Sequence, residues 1–221
     1  MDQAEGLRNI IKRQNQNNIV PARVLTITSG KGGVGKSNLA VNLAVQLRKS
    51  GKRVIIFDAD FGLANVEIMF GTVPKYNLSD VIYRGKNIRE IITKGPMGIG
   101  FISAGSGISG LNNLAHDQIT LLINSLAELN ALADVILIDT GAGISDTVME
   151  FVIASPEVLL VSTPEPSSLT DAYSLLKTLY TSEGFEKNNS KVKVIANKVL
   201  SKEDGNEVFK KLNTVVAKFL S

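Results

Sequence analysis

The stretch Gly30-Lys31-Gly32-Gly33-Val34-Gly35-Lys36-Ser37 decides the fold of this chain of 221 residues. It fits the pattern Gly-x4-Gly-Lys-Ser/Thr in full, and it lies between an apolar run, Val24 to Thr28, and a helical period that begins at Asn38. Glycines let the backbone wrap closely around an anion, and the N–H groups at the start of a helix supply positive potential there. The stretch therefore predicts a phosphate-binding loop between a strand and a helix.

The loop also predicts the cofactors. Lys36 can reach the β- and γ-phosphates of a nucleotide, and the Ser37 hydroxyl can ligate Mg²⁺. These groups indicate ATP or ADP together with Mg²⁺. A glycine-rich turn without a ligand is the alternative, and the agreement of every required position with its flanking elements disfavours it. The residues expected to contact the nucleotide here are Gly30, Lys31, Gly32, Gly33, Val34, Gly35, Lys36, Ser37 and Asn38.

Apolar runs of strand length alternate with helical periods along the rest of the chain. Their continuous apolarity indicates strands that are covered on both faces. The predicted fold is α/β, a doubly wound, mainly parallel sheet with helices on both faces, in which ligands bind outside the carboxyl ends of the strands. The predicted strands are Val24 to Thr28, Val54 to Phe57, Ile99 to Ile102, Val135 to Ile138, Val158 to Val161 and Val192 to Ile195. The predicted helices are Asn38 to Ser50, Asn113 to Ala133, Asp146 to Ala154, Ser167 to Glu183 and Glu203 to Leu220.

The composition excludes several classes of protein. Hydrophobic residues make up 44% and charged residues 20%, which is typical of a folded globular chain. The absence of cysteine excludes disulfides, cysteine nucleophiles and cysteine-bound zinc or iron–sulfur clusters in this chain. The first 20 residues are too polar for a signal peptide, and no apolar run reaches the roughly 18 residues of a membrane-spanning helix. The expected location is the cytoplasm.

The net charge of +3 is unevenly distributed. Residues 185–221 contain 8 lysines and arginines against 4 acids, whereas residues 1–184 contain 16 against 17. So weak an excess does not by itself predict a nucleic acid partner. The sole histidine, His116, has no neighbour in the sequence that suggests catalysis and is expected at the surface.

Acidic residues follow two of the predicted strands. Asp58 and Asp60 come directly after Phe57, and Asp139 follows Ile138. Carboxylates at these positions can hold Mg²⁺-bound water and orient an attacking water. An isolated acid after a strand more commonly caps a helix or forms a turn. Three such acids downstream of a complete phosphate loop favour catalysis.

With Lys31 inside the loop, the segment resembles the deviant Walker A motif of the MinD/ParA ATPases. The resemblance implies an ATPase that forms an ATP-dependent homodimer, in which Lys31 reaches the nucleotide of the partner subunit. A solvated lysine is the alternative. The implied catalytic residues are Lys31, Lys36, Asp60 and Asp139.

The same resemblance implies further roles near the nucleotide. Asp60 would position the water, while Ser37, Asp58 and Asp139 would hold the metal or its water shell. Gly141 would turn its N–H toward the γ-phosphate. Asn197, at the end of a strand, would contact adenine.

Residues 1–20 are predicted to form an arm outside the ATPase domain, 21–221. Its residues Asp2, Gln3, Ala4, Leu7 and Arg8 resemble an element of the FlhG family, also called FleN or YlxH, whose MinD-like ATPases control flagellar number and placement. That family implies that the arm stimulates the flagellar GTPase FlhF, with flagellar switch, C-ring or transcriptional regulators as further partners. The alternatives are a MinD-type division-site regulator and a ParA-like DNA-partitioning ATPase.

Relatives normally continue into a further strand and an amphipathic helix that binds the membrane. No recognisable version of either is present before Ser221. We expect the apolar stripe of the last predicted helix to pack on the core, so membrane binding at the inner face of the cell membrane is expected of a full-length relative and not of this helix. The stripe comprises Val208, Leu212, Val215, Val216 and Phe219.

Overall fold

A computed structural model of the chain describes residues 21–62, 64–105, 114–185 and 191–219. The predicted arm, 1–20, and the glycine-rich stretch after Gly105 lie outside these ranges. The strands are β1 (Arg23–Ser29), β2 (Val54–Ala59), β3 (Thr93–Lys94), β4 (Gly100–Ile102), β5 (Val135–Ala142), β6 (Glu157–Ser162) and β7 (Lys191–Ala196). The helices are α1 (Lys36–Lys49), α2 (Asn65–Phe70), α3 (Leu78–Arg84), α4 (His116–Ser125), α5 (Asp146–Ala154), α6 (Pro166–Thr181) and α7 (Lys202–Phe219).

The strands form one sheet in the order β3-β4-β2-β5-β1-β6-β7. All neighbouring strands are parallel except the antiparallel pair β3 and β4. The predicted α/β fold with a mainly parallel sheet is confirmed. Because β1 is flanked by β5 and β6, the loop that follows it leaves the middle of the carboxyl edge of the sheet.

The alternation of side chains along β2 and β5 places Asp58 and Asp139 on the same face of the sheet as the start of α1. Ile56 of β2 and Leu137 of β5 belong to the buried cluster that packs against α1. Side chains two residues further along a strand point to the same face, so Asp58 and Asp139 continue this face beyond the apolar cluster. They therefore lie beneath the start of α1, where Lys36 begins the helix.

The prediction of one helix from Asn113 to Ala133 is wrong. Within the described residues, α4 ends at Ser125 and a 3₁₀ turn covers Leu126–Leu129. Side chains three residues apart align on a 3₁₀ helix, and here this alignment buries both Leu126 and Leu129. The 3₁₀ turn thus allows both leucines to pack in the core, and the helical periodicity of the sequence does not indicate it.

The final helix packs on the core, as expected. Val208 and Leu212 of α7 are buried with residues of α6 and β7, and Val216 packs against the same cluster. Val215 is half-buried, and the side chain of Phe219 lies outside the described side chains. Among the described residues, no helix combines the length and apolarity needed to cross a membrane.

Candidate nucleotide site

The phosphate loop depends on two glycines that accept no side chain. Gly35 caps α1 with φ 100°, in the left-handed region, and a Cβ there would collide with the Asn197 amide. A Cβ on Gly30 would collide with the backbone carbonyl of Asp171 in α6. Both the conformation and the close packing of the loop therefore require glycine.

Lys36, the first residue of α1, is held inside the site. Its side chain is buried, and Nζ donates a hydrogen bond to Ser29 Oγ at 3.1 Å. Ser29 Oγ in turn donates to the Lys31 carbonyl at 2.7 Å. Burial lowers the pKa of Lys36, and the charges of Asp139 and Asp60 oppose that shift. The site thus presents a largely desolvated ammonium group at the floor of the loop.

Asp58 and Asp139 lie side by side as register partners of β2 and β5, and both are fully buried. Asp58 accepts hydrogen bonds from the backbone N–H groups of Asp60 and Val66, each at 3.1 Å. Burial, with the charge of Asp139 adding to it, nevertheless raises the pKa of Asp58 well above its usual value. Asp58 therefore fixes the turn into α2 while remaining desolvated.

Asp139 lacks such partners. Neither carboxylate oxygen accepts a hydrogen bond of normal geometry from the described residues. Burial raises the pKa of Asp139 to about 6, although the nearby Ser37 hydroxyl and the Lys36 ammonium oppose this. A buried carboxylate with free lone pairs fits a site completed by a bound cation or water.

Asp60 lies at the cleft wall and is fixed by its neighbours. Its Oδ2 accepts a hydrogen bond from Asn65 Nδ2 at 3.2 Å, and Oδ1 accepts one from the Gly62 N–H at 3.3 Å. A Cβ on Gly141 would lie 3.8 Å from Asp60 Oδ1, so the last residues of β5 adjoin this carboxylate. The structure thus brings together the acidic residues that the sequence analysis singled out.

A cleft of about 610 Å³ opens above these residues. It is large enough for a nucleotide. Within the described ranges, no group of three or more histidine or acidic side chains could hold a metal by itself. A Mg²⁺ ion here would thus need the Ser37 hydroxyl, phosphate oxygens and water, a donor set that Mg²⁺ accepts readily. The lining residues are Gly32, Gly33, Gly35, Lys36, Ser37, Asn38, Asp60, Asn65, Ile68, Met69 and Ala142.

Lys31 makes contacts within its own chain. Its Nζ forms an ion pair with Glu165 Oε2 at 2.8 Å and donates to Ser167 Oγ at 2.6 Å. Glu165 and Ser167 lie more than 130 positions from Lys31 in the sequence, so no local pattern indicates these contacts.

Asn197 and Lys198 brace the loop from outside the cleft lining. Asn197 Nδ2 donates to the Val34 carbonyl, and Lys198 Nζ donates to the Gly33 carbonyl, both at 2.8 Å. Lys198 adopts φ 55°, a left-handed conformation that is uncommon for lysine. The bracing role of Lys198 was missed, and nothing in the local sequence indicates it.

Comparison with known proteins agrees with this geometry. The family model of the CobQ/CobB/MinD/ParA nucleotide binding domain matches residues 25–220. The antiactivator FleN of Pseudomonas aeruginosa is 42% identical over 200 residues, which cover 90% of this chain and 70% of FleN. The flagellum site-determining protein YlxH of Helicobacter pylori is 35% identical, with 96% of this chain and 71% of YlxH covered.

Solved structures give the same result. MinD in the MinC:MinD cell division complex of Aquifex aeolicus is similar with a TM-score of 0.69 and 29% identity, over 86% of this chain and 78% of that one. The family match spans most of the chain, including the loop and the acids of β2 and β5. The chain therefore belongs to the CobQ/CobB/MinD/ParA nucleotide-binding family and is a P-loop ATPase of the MinD/ParA type, which uses ATP with Mg²⁺.

Proposed function

We propose that this ATPase is a nucleotide-dependent dimerisation switch that regulates the number and placement of flagella. The observation that carries the flagellar assignment is the 42% identity to the antiactivator FleN, joined by the 35% identity to the flagellum site-determining protein YlxH. The septum site-determining protein MinD of Helicobacter pylori is 39% identical, but over only 68% of this chain. A division-site regulator is therefore the second candidate.

In the proposed chemistry, the chain's own groups bind and orient. The loop N–H groups and Lys36 hold the phosphates, and Asn197 contacts the base after releasing the Val34 carbonyl. Asp60, steadied by Asn65, accepts a hydrogen bond from the attacking water and aims it at the γ-phosphate. The buried ammonium of Lys36 stabilises negative charge more strongly than an exposed one could.

Bound Mg²⁺ would neutralise charge on the β- and γ-phosphates. Ser37 is the proposed direct ligand, and Asp139 holds its water shell through the two oxygens that otherwise lack partners. Asp58 supports the shell from the neighbouring strand. Gly141 donates its N–H to the γ-phosphate, so the carboxyl end of β5 responds to the presence of that group.

Lys31 is proposed to couple nucleotide binding to dimerisation. In the single chain it pairs with Glu165, and both side chains are partly exposed, at 34% and 56%. Exposed ion pairs stabilise a fold only weakly, so the exchange of Glu165 for phosphate oxygens of the partner subunit costs little. The ion pair with Glu165 of the same chain thus holds Lys31 beside the loop until a second subunit docks.

The dimer is tested with Asp60→Ala, which should bind ATP without hydrolysing it. Size-exclusion chromatography with light scattering should detect a dimer with ATP and a monomer with ADP. Adding Lys31→Ala to this variant should abolish the dimer, whereas adding Lys49→Ala, at an exposed position of α1, should leave it intact. A monomer in ATP for Asp60→Ala that demonstrably binds ATP would refute the switch.

The arm is proposed to stimulate a flagellar GTPase of the FlhF type. Deleting residues 1–20 should abolish stimulation of GTP hydrolysis while basal ATP hydrolysis persists. The matched variant Leu7→Asp should have the same effect, and Gln16→Ala should not. Undiminished stimulation by the deletion variant would remove the arm from the proposed function, while leaving the ATPase assignment in place.

A further inference from the structure

A second groove lies between α4, α5 and α6, lined by residues distinct from those of the nucleotide cleft. Its volume is about 430 Å³. Leu114, Ile119, Met149 and Ile153 give it an apolar lining, and Ile144 at its rim is 48% exposed. An apolar concavity of this kind typically accepts a side chain or a helix face of a binding partner.

The groove also contains an acceptor that is not satisfied. Glu150 Oε1 lies 3.0 Å from His116 Nδ1, but the buried Oε2 has no partner among the described residues. A buried oxygen without a donor destabilises the fold, and a donor brought by a ligand would relieve that penalty. The lining described for the groove also includes Asp146 but neither lysine nor arginine. The site is thus suited to a ligand that brings apolar groups and a cationic donor together.

We propose that the occupant is the segment 7–13 of the same chain. Its sequence, Leu-Arg-Asn-Ile-Ile-Lys-Arg, carries three cations and no acid. If helical, Leu7, Ile10 and Ile11 share one face. That face fits the apolar lining, and one of the flanking cations supplies the donor that Glu150 Oε2 lacks. This is helix-in-groove recognition with complementary charge.

The chain leaves the described fold close to this groove. The Ala22 N–H donates to Asn130 Oδ1 at 3.0 Å, and the next residue, Arg23, forms an ion pair at 2.7 Å with Glu157, three residues beyond the end of α5. Helix α5, of 9 residues, is about 14 Å long. The segment 14–20 spans up to about 23 Å when extended. The tether therefore reaches along α5 without strain, and it keeps the local concentration of the arm high.

Docking in cis covers the apolar face of the arm. A partner protein that uses this face must first displace the arm from the groove. The groove is therefore an autoinhibitory site for the arm, whichever protein the arm recognises. The inference stands apart from the flagellar assignment, since it concerns only contacts within the chain.

The absence of native cysteines permits a direct test by disulfide trapping in the full chain. Ile11→Cys would be paired with Thr178→Cys, at the groove, and separately with Lys49→Cys, on α1, as the control. Mild oxidation should give an intrachain crosslink in the groove pair, detected as a monomer of altered mobility that dithiothreitol reverses. We expect about fivefold more product than in the control pair.

Charge variants then test the recognition itself. In the groove pair, Glu150→Lys should lower the crosslink yield about fivefold or more, and Glu207→Lys, on the exposed side of α7, should leave it unchanged. The combined change of Arg8, Lys12 and Arg13 to glutamate alters only the arm, so it tests the same contact even if Glu150→Lys fails to fold. Crosslinked dimers would assign the groove to the arm of a second copy and overturn docking in cis. Equal yields in the groove and control pairs, or indifference to both charge variants, would overturn the proposal.

Discussion

The two edges of the same sheet differ in how their charged side chains are buried and paired. At the carboxyl edge, Lys36, Asp58 and Asp139 are buried, and neither oxygen of Asp139 accepts a hydrogen bond of normal geometry from the described residues. At the amino edge, the charges are solvent-accessible and paired: Arg23 and Lys193 both bond Glu157, at 2.7 and 2.9 Å. The first edge keeps charge available for a ligand, whereas the second uses it to join strands.

The pKa shifts of the two edges have opposite signs. Burial raises the pKa of Asp139 to about 6. At the other edge, the hydrogen bond from Arg23, with a further contribution from Lys193, lowers the pKa of Glu157 to about 2. At neutral pH the first carboxylate thus opposes folding and the second favours it. The nucleotide edge is therefore maintained at the expense of stability.

The largest effect is expected from Lys36→Met, which removes the buried ammonium. The catalytic efficiency kcat/KM for ATP hydrolysis should fall about 100-fold or more, near 3 kcal/mol of transition-state stabilisation. Phosphate release measures it. Lys49→Met, at the exposed end of the same helix, should hydrolyse ATP normally; an equal loss in both variants would mean that the burial of Lys36 is irrelevant.

A smaller effect separates two glycines of the loop. Gly30→Ala should lower the free energy of unfolding by about 2 kcal/mol or more, because its Cβ meets the backbone of α6. Gly33→Ala should cost about 1 kcal/mol, since φ 75° strains alanine but nothing lies within 4 Å of the new Cβ. Urea denaturation measures both, and the reverse order would contradict the close packing of Gly30 on α6.

The smallest effect belongs to the amino edge. Glu157→Gln should lower the free energy of unfolding by about 1 kcal/mol at pH 7, after allowance for solvent screening of a partly exposed group. Because the folded-state pKa of Glu157 is depressed from 4.5 to about 2, its contribution is present above pH 4.5 and is lost as the pH falls toward 2. Urea titrations at pH 7 and pH 2.5 should therefore show the difference between wild type and variant shrinking. A constant difference would exclude the ionic origin.

Much of the fold could be predicted from the sequence because its strands are continuous apolar runs. All six predicted strands are present. Strand β3 was missed, since a strand of two residues is too short to show a pattern of apolar residues. The short helix α3 was also missed; it depends on a capping box between Asn77 and Asp80. The predicted C-terminal end of α4 was wrong because the burial of Leu126 and Leu129 favours a 3₁₀ turn there.

The parts of the candidate site that could be predicted are those whose residues lie close together in the sequence. The loop and the acid that follows the apolar run, Asp139, were found from spacing, and the structure brings them together. The strand was expected to end at Ile138, but β5 includes Asp139 and continues to Ala142. The cis contact of Lys31 with Glu165 and the bond from Asn197 to Val34 join residues 134 and 163 positions apart, so only the folded chain reveals them. The two backbone N–H groups that donate hydrogen bonds to Asp58 are likewise positioned by the turn into α2.

The variant Asp139→Asn tests whether the carboxyl edge keeps a destabilising charge for its ligand. The measurement is the free energy of unfolding of the ligand-free protein at pH 8, taken together with its rate of ATP hydrolysis. We expect the variant to be about 1–3 kcal/mol more stable, with that gain shrinking as the pH falls from 6 toward 3.8 and lost below about pH 3, where the wild-type carboxyl is protonated in both states. Hydrolysis should fall about tenfold or more. A variant that is less stable than wild type at pH 8, or that hydrolyses ATP at the wild-type rate, would contradict the account.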